Sequence, residues 1–417
     1  MTSRVFAAHR RPVALAMVII LLAQLPGITV AHHGGREIGT LLNCNRPVEP
    51  PRCTSVGDDR MHRVHLDRSL SPALAAAMRY AMGEVYDPTR LTLVEHEEVT
   101  RRTDVIAYSG DFGDNGAAAW VHCPADAPQG ENVRGDRWCR HQELFFNLNP
   151  RYGVFFDDAP SRRHVACHEL GHTLGLRHWG NPPQTDGPAG ETCMNANTPN
   201  GHAFLHPTDV DHINAYPYTL PRNAPTLRLV QTPSDTATAV AEPSGSESGL
   251  VDADEVERPA SLAGLVQDAD LVTVGRIVAV GPGRAFGPAH KRLHYAALTV
   301  ALHEVLAGGP METGAVEVTL ELPLHDGLDG LARLGAAMLG TERLLFLRNK
   351  GVSAAEAGLP ISTQLEDAPF YRLVTFGSEV VSVDGVAVAG GDDAGLLDRF
   401  DGLPFTQVVK AVRAAAG

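Results

Sequence analysis

Residues 164–179 read HVACHELGHTLGLRHW and hold four histidines, one glutamate and two glycines. His168 and His172 stand four apart. On a helix that spacing puts both imidazoles on one face, a turn apart and within reach of one cation. Glu169 points to the side, where its carboxylate is badly placed as a third ligand but well placed to hold and deprotonate a water beside the same cation. Gly175 can adopt backbone angles closed to other residues, so the helix can end there and the chain turn back, delivering His178 as the third ligand. Three imidazoles leave the fourth corner of a tetrahedral ion to water, as expected of a catalytic rather than a structural zinc site.

Together His168, Glu169, His172, Gly175 and His178 spell H-E-x-x-H-x-x-G-x-x-H, and in this the sequence resembles the metzincin clan of zinc peptidases. The resemblance implies one Zn2+ on His168, His172 and His178, Glu169 as general base, and a protein or peptide substrate. It also implies a methionine in a tight turn under the zinc. ETCMNAN places Met194 there, with Gly175 as the other structural support. Ala196 occupies the position where some families carry a tyrosine ligand, so that feature is absent, and Trp179 does not single out a family. The general resemblance is nearest to matrixin-like and compact secreted bacterial enzymes. The segment PPRC resembles the Pro-Arg-Cys of matrixin propeptides, whose thiolate blocks the zinc. Here Cys44 offers Cys53 a disulfide partner and little propeptide precedes it, so the latency role is the less favoured reading. A thermolysin-like site with Glu191 as third ligand is opposed by the Pro and Gly around it.

These residues need elements to hold them. HRVHLD (62–67) alternates like a strand, and Ser71-Pro72 opens a helix with Leu74, Met78, Met82 and Val85 at helical spacing. RLTLVEHE, TDVIAYSG, AAAWVHC and QELFFNL read as four further strands. Ser161 is the expected cap of the histidine helix, and Thr208 with Asp211 the expected capping box of a last helix, TDVDHINAY. Strand, helix, four strands, metal helix, loop and helix is the order a metzincin catalytic domain would show, over about residues 60–217. An extended substrate would add itself to an exposed edge strand, with AAAWVHC the candidate.

The chain has 417 residues, which suggests two domains. Residues 1–31 read as a signal peptide: Arg4, Arg10 and Arg11, an uncharged run, then Thr29 and Ala31 before a cut. An uncleaved anchor is the alternative; cleavage would leave a secreted protein with no membrane attachment. The net charge is −14 and the first 31 residues contribute only arginines, so the remainder is more acidic still and offers nothing to nucleic acid. Six cysteines, Cys44, Cys53, Cys123, Cys139, Cys167 and Cys193, suit three disulfides in an exported chain; pairing neighbours would tie Cys167 on the metal helix to Cys193 beside Met194. Asp111, Asp114 and Asn115 could bind Ca2+, but their spacing is not that of an EF-hand and an ordinary turn is the simpler reading.

Residues 218–261, rich in Pro, Ser, Thr and acids, read as a flexible linker after a 32–217 metalloprotease domain. Beyond it, LVTVGRIVAVG, HYAALTVALHEVL, AVEVTLELPL, RLLFLRN, YRLVTF and EVVSVDGVAVAG are β-rich, and TQVVKAVRAAA closes the chain as a helix. The expected fold is therefore α+β: a metzincin-like domain (mixed sheet, active-site helix, Met-turn, C-terminal helix), then a small β-barrel or sandwich at 262–417 with no catalytic set. The expected function is a secreted zinc metalloendopeptidase. The rival is a non-catalytic exported binding protein that keeps its metal for stability.

Overall fold

The structure is a computed structural model. It describes residues 56–124, 126–131, 137–176, 192–194, 202–216, 218, 250–255, 259, 261–310, 314–325, 327–375, 377–390 and 396–417. The expected signal peptide, Cys44, Cys53, His178, Trp179, Glu191 and Ala196 lie outside the described residues. The described residues fall within one compact unit. Within it the fold is mixed α+β with two large sheets. Among the described residues no helix is long and apolar enough to cross a membrane.

The first sheet is built from β1 (Met61–Leu66), β2 (Thr92–His96), β3 (Val105–Gly110), β4 (Ala117–His122), β7 (Gln142–Asn147) and β8 (Leu250–Glu255), in the order β2-β1-β3-β7-β4-β8. A short hairpin, β5 (Gln129–Glu131) with β6 (Arg137–Cys139), stands apart. β2, β1, β3 and β7 run parallel, and β4 is antiparallel to β7. Alternation along the strands sends Ala119, Val121, Leu144 and Phe146 to one face and Trp120 and Phe145 to the other. β4 and β7 are covered on both faces, which is why they carry nearly unbroken apolar runs such as AAAWV and LFF.

On the first face lie α1 (Pro72–Tyr80) and α2 (Ala159–Thr173), burying Leu74, Met78, Val165 and Leu170 against the sheet; α3 (Pro207–Ala215) follows. Ser71 caps α1 as expected, its hydroxyl accepting from Leu74 N–H at 3.2 Å. The cap of α2 is Asp158, not Ser161: Pro160 already sits in the first turn, and Ser161 N–H donates to Asp158 Oδ1 at 2.7 Å. The box on α3 is likewise formed two residues earlier than expected, by the His206 ring and the Asp209 carboxylate, with Pro207 as first residue.

After α4 (Leu262–Asp268), the second sheet comprises β9 (Leu271–Phe286), β10 (Leu293–Gly308), β11 (Glu317–Leu324), β12 (Glu342–Asn349), β13 (Phe370–Leu373), β14 (Glu379–Val383) and β15 (Val386–Ala389). β13 bonds to both β11 and β12, so β9, β10, β11, β13 and β12 close into a ring, and β14 and β15 extend it from β12. Irregular register between the long β9 and β10 supplies the bends that closure needs. Helices α5 (Asp329–Met338), α6 (Lys350–Glu356), α7 (Ile361–Asp367) and α8 (Phe405–Ala416) pack around it.

The two sheets meet on the outer face of the first. Phe112, Trp120 and Phe145 pack with Leu293 and Tyr295, and Tyr295 Oη donates to Phe112 O at 2.7 Å. Around this apolar patch runs a buried set of charges. Arg372 Nε donates to Asp114 Oδ1 at 2.8 Å, Arg151 Nη2 to Asp367 Oδ2 at 2.6 Å, and Lys350 Nζ to Glu321 Oε2 at 2.8 Å. Burial alone would raise the pKa of Asp114, but Arg372, Arg151, Lys350 and the Tyr152 hydroxyl outweigh it and hold this carboxyl far below its usual range. The loop weighed as a calcium site thus has other work. Asp111 Oδ1 accepts from Gly113 N–H and Asn149 Nδ2, Asp114 is paired with arginine, and Asn115 Oδ1 accepts from Ala117 N–H, so these oxygens are engaged within the fold.

Candidate metal centre

The centre is set by how α2 ends. Leu174 is its last cap, and Gly175 takes φ 92°, the left-handed region open to glycine. Leu176 N–H then reaches back to Gly171 O at 3.0 Å and Gly175 N–H to His172 O at 2.9 Å, a paired closure that satisfies the last carbonyls of the helix. The same reversal brings Leu176 O onto the His172 ring, where it accepts from Nδ1 at 2.8 Å.

His168 is held in the same manner from another direction. Its Nδ1 lies 2.6 Å from Cys193 O, and Cys193 is disulfide-bonded to Cys167, with Cα atoms 5.9 Å apart. Cys193 N–H bonds to Phe204 O at 2.8 Å, and Thr192 Oγ1 donates to Asp209 Oδ2 at 2.9 Å, so α3 anchors this short segment. Of the expected cysteine pairs, Cys123–Cys139 is also bonded.

A carbonyl only accepts, so each Nδ1 must carry the ring proton, and in a neutral imidazole Nε2 is then the unprotonated nitrogen. His168 Nε2 and His172 Nε2 face each other at 2.8 Å. Two lone pairs at that distance call for something positive between them: a shared proton or a cation. The donor set suits zinc. With Zn–N of about 2.0–2.1 Å and tetrahedral angles, two ligand nitrogens stand roughly 3.3–3.4 Å apart, so a spread of about half an ångström would admit the ion. Both rings and Glu169 are fully buried. Among the described residues no third His, Cys, Asp or Glu joins the pair, and the expected third ligand, His178, is outside them.

Met194 is fully buried against α2. Its approach depends on Gly171, which the sequence reading passed over. A Cβ there would fall 3.1 Å from Met194 Cε, nearer still to its sulfur, and 2.9 Å from Tyr86 Oη. Tyr86 was equally unread; its hydroxyl donates to Cys167 O at 2.8 Å, inside the histidine helix. Only a glycine placed between the two histidines could have hinted at such close packing. His164 lies on the same helix, with its ring centroid 6.0 Å from that of His168, but its Nδ1 is engaged with His202 O at 2.9 Å. Burial pushes its pKa down to about 4. On the sheet side, Thr173 Oγ1 donates to Leu170 O at 2.7 Å and so accepts from His62 Nε2 at 2.9 Å.

No protein-family profile matches the chain, and no curated protein matches it. Among solved structures the chain is similar to high choriolytic enzyme 1, a hatching enzyme zinc-protease from the medaka fish Oryzias latipes, at 16% identity and a TM-score of 0.18. The likeness covers 29% of this chain and 46% of that one, so it spans less than half of the relative's length.

Proposed function

We propose that the chain is an exported, metzincin-like zinc metalloendopeptidase. The observation that carries this reading is the pair of Nε2 atoms facing each other at 2.8 Å while both Nδ1 atoms are committed to carbonyls, on a helix that also carries Glu169. His168, His172 and His178 would hold the metal. When bound, zinc supplies Lewis-acid chemistry, making a water acidic near neutral pH and polarising the scissile carbonyl. Glu169 takes the proton from the attacking water and passes it to the departing amine. Cys193 O and Leu176 O keep the two imidazoles in the tautomer whose unprotonated Nε2 can act as a ligand. The buried position of the helix excludes bulk water from the proton transfer.

Glu169→Ala should keep its zinc and lose cleavage of a diverse peptide pool by at least ~100-fold, the usual scale of general-base catalysis. Peptide mapping by mass spectrometry beside metal analysis checks it. Retained cleavage at normal zinc content would exclude the mechanism. A chelator that lowers the melting temperature of an unmodified chain that cuts nothing would favour the structural-metal rival.

A further inference from the structure

The strand expected to receive an extended substrate is already paired on both sides. β4 bonds to β7 along one edge and to β8 along the other, with Ala117 opposite Glu255, Trp120 opposite Ala253 and His122 opposite Leu250. β8 runs antiparallel to β4 and passes against α2, the helix that carries His168 and His172. Every residue of β4 is buried, so the exposed edge expected of AAAWVHC is absent. A sheet edge is where a foreign extended chain obtains its main-chain hydrogen bonds. Here those bonds are taken by residues more than 120 positions downstream, in the stretch that reads as linker.

We propose that Leu250–Glu255 is a built-in occupant of the substrate edge, so that the chain occludes its own cleft until this segment is displaced. The proposal rests on the peptidase reading for its consequence, though not for the pairing itself. A tethered strand competes at an effective concentration on the order of millimolar. Peptides that would otherwise bind at micromolar to millimolar KM must therefore displace it, and the block acts mainly on KM.

The test uses the full chain and two variants, Asp252→Pro and Ala253→Pro. Successive residues of a strand point their N–H groups to opposite edges, so one of the two removes a donor from the ladder to β4. With a fluorogenic peptide pool, the effective variant should show kcat/KM raised about tenfold or more, with KM carrying the change. A synthetic peptide of residues 248–257 should bind that variant, measured by fluorescence anisotropy, and not the unmodified chain. Hydrogen exchange in the unmodified chain, which needs no variant, should find the amides of Ala117–His122 protected as in an internal strand. Equal kcat/KM in all three proteins, or fast exchange at alternate β4 amides, would overturn the proposal and leave the peptidase reading standing. Peptide binding confined to the variant, with no cleavage by any form, would uphold the occupied edge and reject the peptidase reading.

Discussion

A single ring shows how the environment sets acid tolerance. His62 is fully buried beside Thr173, and burial, partly offset by Asp58, pushes its pKa down to about 4. The native state therefore keeps this ring neutral where the unfolded chain, with an ordinary histidine pKa of ~6.5, already takes a proton. Its contribution is fully present above pH ~6.5 and is lost as the pH falls toward 4, reaching on the order of 3 kcal/mol. In His62→Gln, urea unfolding between pH 6.5 and 4 should follow a slope shallower by about one proton. An unchanged slope would mean that the ring titrates normally. Residue-scale logic of this kind was partly legible beforehand. Spacing alone places His168 and His172 side by side, because four residues make about one helical turn. The carbonyls that fix their tautomers come from Leu176 and Cys193, and no local pattern announces a carbonyl.

At the scale of elements, local pattern found β1, β2, β3, β4, β7 and the helices packed on them, because each carries an apolar run or a helical apolar stripe of its own, while β8 fell in the stretch read as linker. Caps were less legible. Ser161 looked like a cap, but Asp158 with Pro160 offers both a side-chain acceptor and a preset φ three residues earlier. The end of α2 was easier to read, since Gly175 is the first residue after His172 suited to a left-handed turn. Gly175→Ala forces a side chain into φ 92° and should cost about 1–2 kcal/mol, with Gly175→Asn costing less. It also loosens Leu176 O from His172, so zinc affinity should drop along with the melting temperature. Stability and zinc binding equal to the parent's would show that the turn does not position the ring. The pairing of β4 with β8 was beyond any local reading, because hydrogen bonding between distant strands leaves no periodic trace in either segment.

Across the whole molecule, the two sheets are fastened by Trp120 and Tyr295 at an apolar centre and by buried ion pairs around it. Composition separated the two β-rich halves, but the sequence reading treated each alone and saw in Asp114 only a turn or a calcium ligand. Its pairing with Arg372 joins residues that only the folded chain brings together. Asp114→Ala would leave Arg372 and Arg151 without this carboxylate and should destabilise by about 3–5 kcal/mol, with Asp114→Asn, which can still accept from Tyr152, losing less. Both sheets should then melt in one transition at lower urea. A separate, unshifted transition for the second sheet would show that the two unfold independently.

The bond between Cys167 and Cys193 joins the backbone of the histidine helix to the residue whose carbonyl steers His168. A thiol-rich cytosol withholds that bond and an oxidising exterior supplies it. Where that bond is withheld, Cys193 is tied to the helix only through its neighbours, so a reductant should slacken the carbonyl's grip on the His168 ring.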